Sequence, residues 1–111
     1  MAERRSEARL LCADLVQVEW TEVSGRKRRT VANLEDISRS GAGLQVDMEI
    51  PLNAQVRIYL PQKNLTGVVR YCVYREIGFF LGVQFVEGQK WSERDYAPLH
   101  MFDPRKLAAE D

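Results

Sequence analysis

Short runs of period-two alternation, separated by turn residues, leave this chain few folds to choose from. Over residues 12–21, Val16, Val18 and Trp20 fall on one parity, and Gln17, Glu19 and Thr21 on the other. That is the pattern of a half-buried strand. Ser24-Gly25-Arg26-Lys27-Arg28-Arg29 follows as a turn, its basic run reading as a solvated hairpin tip rather than a nucleic-acid patch. Strands are expected over 30–37 and 42–46, with Pro51-Leu52-Asn53 as a loop. Residues 55–60 alternate again, with Val56, Ile58 and Leu60 inward. After the Pro61-Gln62-Lys63-Asn64 turn, 65–75 and 79–86 form a long hairpin around Glu76-Ile77-Gly78. Six short strands at this spacing predict an all-β fold, an antiparallel six-stranded barrel or closed sandwich.

The character changes after Gly88. Ser92-Glu93-Arg94-Asp95 has the form of a helix N-cap with an acid three residues on, so a short helix is expected to start there. Pro98 and Pro104 limit its length. Trp91, Tyr96, Leu99, Met101 and Phe102 form a dense apolar set, read as a plug for one end of the barrel; a dimer or partner surface is the alternative. The expected organisation is an arginine-rich flexible arm over 1–11, a barrel over 12–90, and a packed C-terminal helix or tail over 91–111.

Charge and length narrow the function classes. The 111 residues suffice for one domain with a core of its own. Sixteen basic residues balance sixteen acidic ones, so a polyanion has to be met by a local cluster rather than a general coat. No apolar run reaches the ~20 residues of a membrane span, and no signal-peptide core follows the charged N-terminus, so the expected compartment is the cytoplasm. Cys12 and Cys72 stand in apolar, strand-like surroundings and read as free thiols.

Two polar clusters stand out from this framework. Asp36-Ile37-Ser38-Arg39-Ser40-Gly41 is a glycine-terminated turn between two strands. The period-two spacing of Asp36 and Ser38 suggests that both leave one face of an extended segment. Gly41 there suits a positive φ or a close approach to the backbone. Taken alone, the stretch also fits an Asx- or Ser-based turn with local backbone bonds. The second cluster, Glu3-Arg4-Arg5-Ser6-Glu7-Ala8-Arg9, contains Arg-x-x-x-Arg with one more arginine ahead of it. Arg5 and Arg9 lie about 13 Å apart if extended, or share a face at i, i+4 if helical.

Arg-x-x-x-Arg followed by Asp-x-Ser-x-x-Gly, with a strand between them, resembles the PilZ domain family, bacterial receptors for cyclic di-GMP. The resemblance covers roughly residues 3 to 90 and implies a PilZ-like split barrel. It implies that Arg5, Arg9, Asp36, Ser38 and Gly41 form the ligand site. It also implies that Arg4 accompanies binding of an intercalated ligand pair, and Arg39 is a further candidate contact. The residue types suit that ligand. Guanidinium groups meet phosphates and the O6/N7 edge of guanine with paired bonds. A carboxylate accepts from the N1–H and N2–H edge. A mobile arm ordered by the ligand would present a new surface to a downstream protein.

Other classes fit less well. His100 has no nucleophile pattern nearby, Ser38 lies in no Gly-x-Ser-x-Gly elbow, and no Gly-rich phosphate loop is present, so no enzyme is expected. Asp14, Glu19, Glu22 and Glu35 read as the wet face of strands. A nucleic-acid-binding barrel could stack bases on Tyr59, Tyr71 and Tyr74, but the net charge of zero argues against DNA or RNA as partner. A PilZ-like module acting only through protein contacts is the other alternative. The expectation is a monomer or weak homodimer, without cofactor or metal, that signals to an unidentified downstream protein.

Overall fold

The structure, a computed structural model, describes residues 9–98. The strands are β1 (Leu10–Thr21), β2 (Lys27–Ile37), β3 (Gly41–Val46), β4 (Gln55–Tyr59), β5 (Asn64–Arg75) and β6 (Gly78–Phe85). They close into one barrel in the order β1-β2-β3-β6-β5-β4, every neighbouring pair antiparallel. The expected six-stranded antiparallel barrel is therefore the observed one.

Alternation builds the interior. Val16, Val18 and Trp20 of β1 point inward, with Ala32 and Leu34 of β2, Leu44 and Val46 of β3, Val56 and Ile58 of β4, Leu65 and Val69 of β5, and Leu81 and Val83 of β6. Burying a side chain of this kind contributes about 1.5–3 kcal/mol relative to leaving it exposed. Closure runs through the pairing of β1 with β4, where Gln17 to Trp20 of β1 meet Tyr59 to Val56 of β4.

Three local expectations shift. β1 starts at Leu10, two residues early, and β2 starts at Lys27, within the predicted hairpin tip. The tip is the tighter turn before it, where the Glu22 amide donates to the Arg26 carbonyl at 2.8 Å and Gly25 takes φ +92°. Lys27, Arg28 and Arg29 of the basic run are thus strand rather than loop. The Arg28 guanidinium sits 6.0 Å from the Trp20 ring centroid and bonds Glu22 at 2.6 Å, and such contacts let an arginine cover an apolar barrel mouth.

The second shift concerns Asp14. It lies on the inward parity of β1, is buried, and accepts a hydrogen bond from the Tyr96 hydroxyl at 2.9 Å, so it does not belong to the wet face. The third is the helix at Ser92. Within the described residues it is a single turn, in which the Asp95 and Tyr96 amides donate to the Ser92 carbonyl; Leu99, His100, Met101 and Phe102 lie outside them. Trp91 is buried against the core, and its Nε1 donates to the Tyr96 carbonyl at 2.8 Å. No helix among the described residues is long and apolar enough to cross a membrane.

Candidate functional site: a polar pocket beside the motif turn

Strand register places five residues in one row across the barrel wall. Leu11 pairs with Asp36, Asp36 with Gly43, Gly43 with Gly82, and Gly82 with Tyr71. Two irregularities aim the side chains at the ends of the two-glycine step. Between Leu34 and Asp36, β2 advances two residues while β3 advances one, so Glu35 is extra. Regular alternation after Ala32 and Leu34 would turn Asp36 inward; the bulge puts Ile37 in the core and Asp36 outside. In β5, Arg70 is the extra residue opposite the step from Val83 to Gly82. It likewise turns Tyr71 out, 49% exposed.

Both glycines serve close approach. A Cβ on Gly43 would stand 2.8 Å from Asp36 Oδ2, and one on Gly82 would stand 2.1 Å from Tyr71 Cε2. The carboxylate and the ring therefore lie directly on bare backbone. Gly41 plays a related part, since its Cβ would meet the Val83 carbonyl oxygen at 2.5 Å. The close approach expected at Gly41 is thus made by β6, and its φ is not positive.

The motif turn is tied into the barrel on three sides. The Ser38 amide donates to the Gly41 carbonyl at 2.8 Å, and the buried Ser38 hydroxyl points at the same oxygen at 3.4 Å. The Phe85 amide donates to the Ser40 carbonyl at 2.8 Å, and the Trp91 amide to the Arg39 carbonyl at 3.0 Å. The Arg39 side chain is exposed.

Beside this turn lies an open pocket of about 500 Å³. Ser38, Ser40 and Gly41 form one side; Gly82 and Gln84 form the floor; Tyr71, Arg70 and Arg9 form the rest of the rim. Arg9 Nη2 donates to Asp36 Oδ1 at 2.9 Å, which links the carboxylate to the pocket. That bond raises the Arg9 pKa above its ordinary value, against the lowering effect of partial burial. Arg70 Nε donates to Gln84 Oε1 at 2.8 Å, so the second cation of the pocket is also oriented. Cys12, near this end of β1, is pushed up to about 12 by burial, with Asp14 and Asp36 adding to the effect.

Of the residues singled out in the sequence, Arg9, Asp36, Ser38 and Gly41 come together here. The Arg39 side chain does not line the pocket, and Arg4 and Arg5 lie outside the described residues. Arg70, Gln84, Gly43 and Gly82 were not read from the sequence, since only register brings them opposite the motif. Of the three tyrosines considered for stacking, Tyr59 lies under the Arg29 guanidinium at 4.6 Å, and Tyr74 packs on Phe79 at 5.1 Å between centroids. Tyr71 is the one on the pocket rim.

The fold and this site define a class, a small closed β-barrel with a polar, arginine-flanked pocket on its outer wall. The sequence places it more narrowly. The model of the PilZ domain matches residues 3–96, and the chain belongs to that family. Its fold is similar to the PilZ domain with c-di-GMP of YcgR from Escherichia coli, at TM-score 0.58 and 14% identity, covering 77% of this chain and 79% of that one. Comparison with curated protein sequences gives no match.

Proposed function

We propose that this chain is a receptor for cyclic di-GMP, without catalytic activity, that takes up the dinucleotide between its N-terminal arginines and the pocket beside the motif turn. The observation that carries this reading is the Arg9–Asp36 bond at the pocket rim, which joins the two family motifs in one place. YcgR, whose PilZ domain has c-di-GMP in its structure, shares the fold.

Each residue has a task in this reading. Arg9, with Arg5 and Arg4 from the arm, takes phosphates and guanine O6/N7 edges. Asp36 accepts from a guanine N1–H and N2–H, exchanging a partly solvated bond to Arg9 for a paired one. Ser38 bonds phosphate or holds the turn, and Arg39, exposed and outside the pocket lining, meets a phosphate beyond the rim. Gly41 keeps β3 against β6, so that the pocket wall stands where the ligand needs it. Tyr71 offers an exposed ring face for a base, and Arg70 a further cation near the phosphates. Arg4 assists a second, intercalated ligand.

The receptor acts in the cytoplasm and passes its signal to another protein. Ligand bridging the arm to the barrel favours the closed arm by its differential affinity for that state. The test is a calorimetric titration with cyclic di-GMP of the parent chain, Arg5→Ala and Asp36→Ala. Saturable binding that is lost in both variants supports the receptor, and two ligands per chain support the intercalated pair. Absence of binding by the parent chain contradicts it.

A further inference from the structure

A second feature lies on the outer face of β2, β1 and β4, away from the pocket on β3, β5 and β6. Strand register sets Val31, Gln17 and Tyr59 in one row and Arg29, Glu19 and Arg57 in the next. Lys27 follows opposite Thr21. Leu15 precedes the first row on the same parity of β1 and is 75% exposed; Val31 is 53% exposed. With Pro61 they form an apolar end of the face, in a shallow groove of about 400 Å³.

The other end is cationic. Glu19 is already satisfied, accepting from the Tyr59 hydroxyl at 2.8 Å and pairing with Arg29 at 3.6 Å. Lys27 and Arg57 are exposed, form no ion pair among the described residues, and both line a cleft of about 280 Å³. The stacked Arg29 side chain is 52% exposed. Arg29 and Arg57 therefore flank one spent carboxylate one row, about 6.7 Å, beyond the row of Val31, and Lys27 lies one row further on.

We propose that this face docks an extended acidic segment of a partner protein, its apolar side chains on Leu15 and Val31 and its carboxylates on Lys27, Arg57 and Arg29. The row spacing matches side chains two residues apart on an extended peptide, so a segment whose one face carries apolar residues and then acidic ones, every second residue, meets both ends at once. A second copy of this chain is a poorer occupant, because a two-fold contact centred on this face would lay each cationic end on the other copy's apolar end and leave the cations unpaired. A nucleic-acid backbone has charge for the cationic end but nothing that needs the aliphatic one. The proposal supplies a surface for the relay described above, rests on that half of the reading, and is independent of ligand binding.

The test uses the full chain and a labelled short peptide with leucine, valine and two glutamates at every second position (Leu-Ser-Val-Ser-Glu-Ser-Glu), followed by fluorescence anisotropy and amide chemical shifts. The expected result is saturable binding, shifts centred on Leu15, Val31 and Arg57, and weakening by about tenfold or more in both Lys27→Glu/Arg57→Glu and Leu15→Ser/Val31→Ser. The lysine counterpart of the peptide should not bind, and the cyclic di-GMP titration should be unchanged in both double variants. Equal binding of polyglutamate, no binding, or shifts confined to the pocket overturns the proposal. So does tighter binding of an RNA oligonucleotide or phosphatidylserine vesicles, or dimerisation through this face. Peptide binding without cyclic di-GMP binding would leave this proposal standing and remove the receptor reading.

Discussion

The ring of Tyr71 lies on the bare backbone of Gly82, where an added Cβ would stand 2.1 Å from its Cε2. The bulge at Arg70 and the missing side chain at Gly82 are both needed for that placement. Gly82→Ala should lift the ring while leaving the barrel closed, because an exposed side chain can swing away. Cyclic di-GMP affinity should fall about 5- to 100-fold, as expected for loss of one base–aromatic contact. Tyr71→Ala should match it, and titration of both variants alongside far-UV circular dichroism checks the pairing.

Arg9 and Asp36 should matter to the ligand far more than to the fold. Their ion pair is open to solvent, with the Arg9 side chain 61% exposed, and such pairs contribute about 0–1 kcal/mol. Arg9→Ala should therefore leave the denaturant midpoint nearly unchanged and reduce cyclic di-GMP binding by at least about tenfold, the loss of one charge-assisted contact. Urea unfolding and titration on the same preparation separate the two effects.

Gly41 should behave in the opposite way. An added methyl would press on the Val83 carbonyl at 2.5 Å, a backbone atom that cannot swing aside. Gly41→Ala should lower stability by about 1–3 kcal/mol even without ligand, as overpacking does. Thermal melts of the unliganded protein read this directly.

The Tyr96 hydroxyl donates to Asp14, and its pKa is pushed up to about 12, by burial first and by Asp14 second. The folded state thus prefers the protonated phenol. Its contribution is complete below the ordinary tyrosine pKa of about 10 and disappears as pH rises through about 12. Tyr96→Phe should be less stable than the parent below about pH 10, and the gap should narrow above it. Parallel urea titrations across that range test the sign.

Cys12 should be unreactive. With its pKa near 12, thiolate at about pH 8 is on the order of one part in ten thousand, and alkylation follows the thiolate. Mass spectrometry after iodoacetamide should find Cys12 unmodified in the folded chain and modified in urea.

Most of the barrel could be read from the sequence because period-two alternation is a local signal, and Val16, Val18 and Trp20 obey it. The shifts arise where tertiary contacts decide. Arg28 and Arg29 look like a loop until Trp20 and Tyr59 supply rings to cover. Asp14 looks like a wet-face acid until Tyr96 arrives from 82 residues away. The site divides similarly. Asp36, Ser38 and Arg9 were legible as motif residues, but a bulge at Glu35 aims Asp36, and nothing in the local sequence marks that extra residue. Arg70 and Gly82 were invisible for the same reason, since their meaning depends on register between strands.

The central claim is that cyclic di-GMP binds on the outer wall where Asp36, Gly43, Gly82 and Tyr71 share a row. Amide chemical shifts during titration of the labelled chain test it most directly. The account predicts saturable shifts of the Gly43, Gly82, Tyr71 and Ser38 amides, with Val31 and Arg57 on the opposite face unmoved. Binding with those four amides unperturbed, or no shifts at saturating ligand, would contradict it.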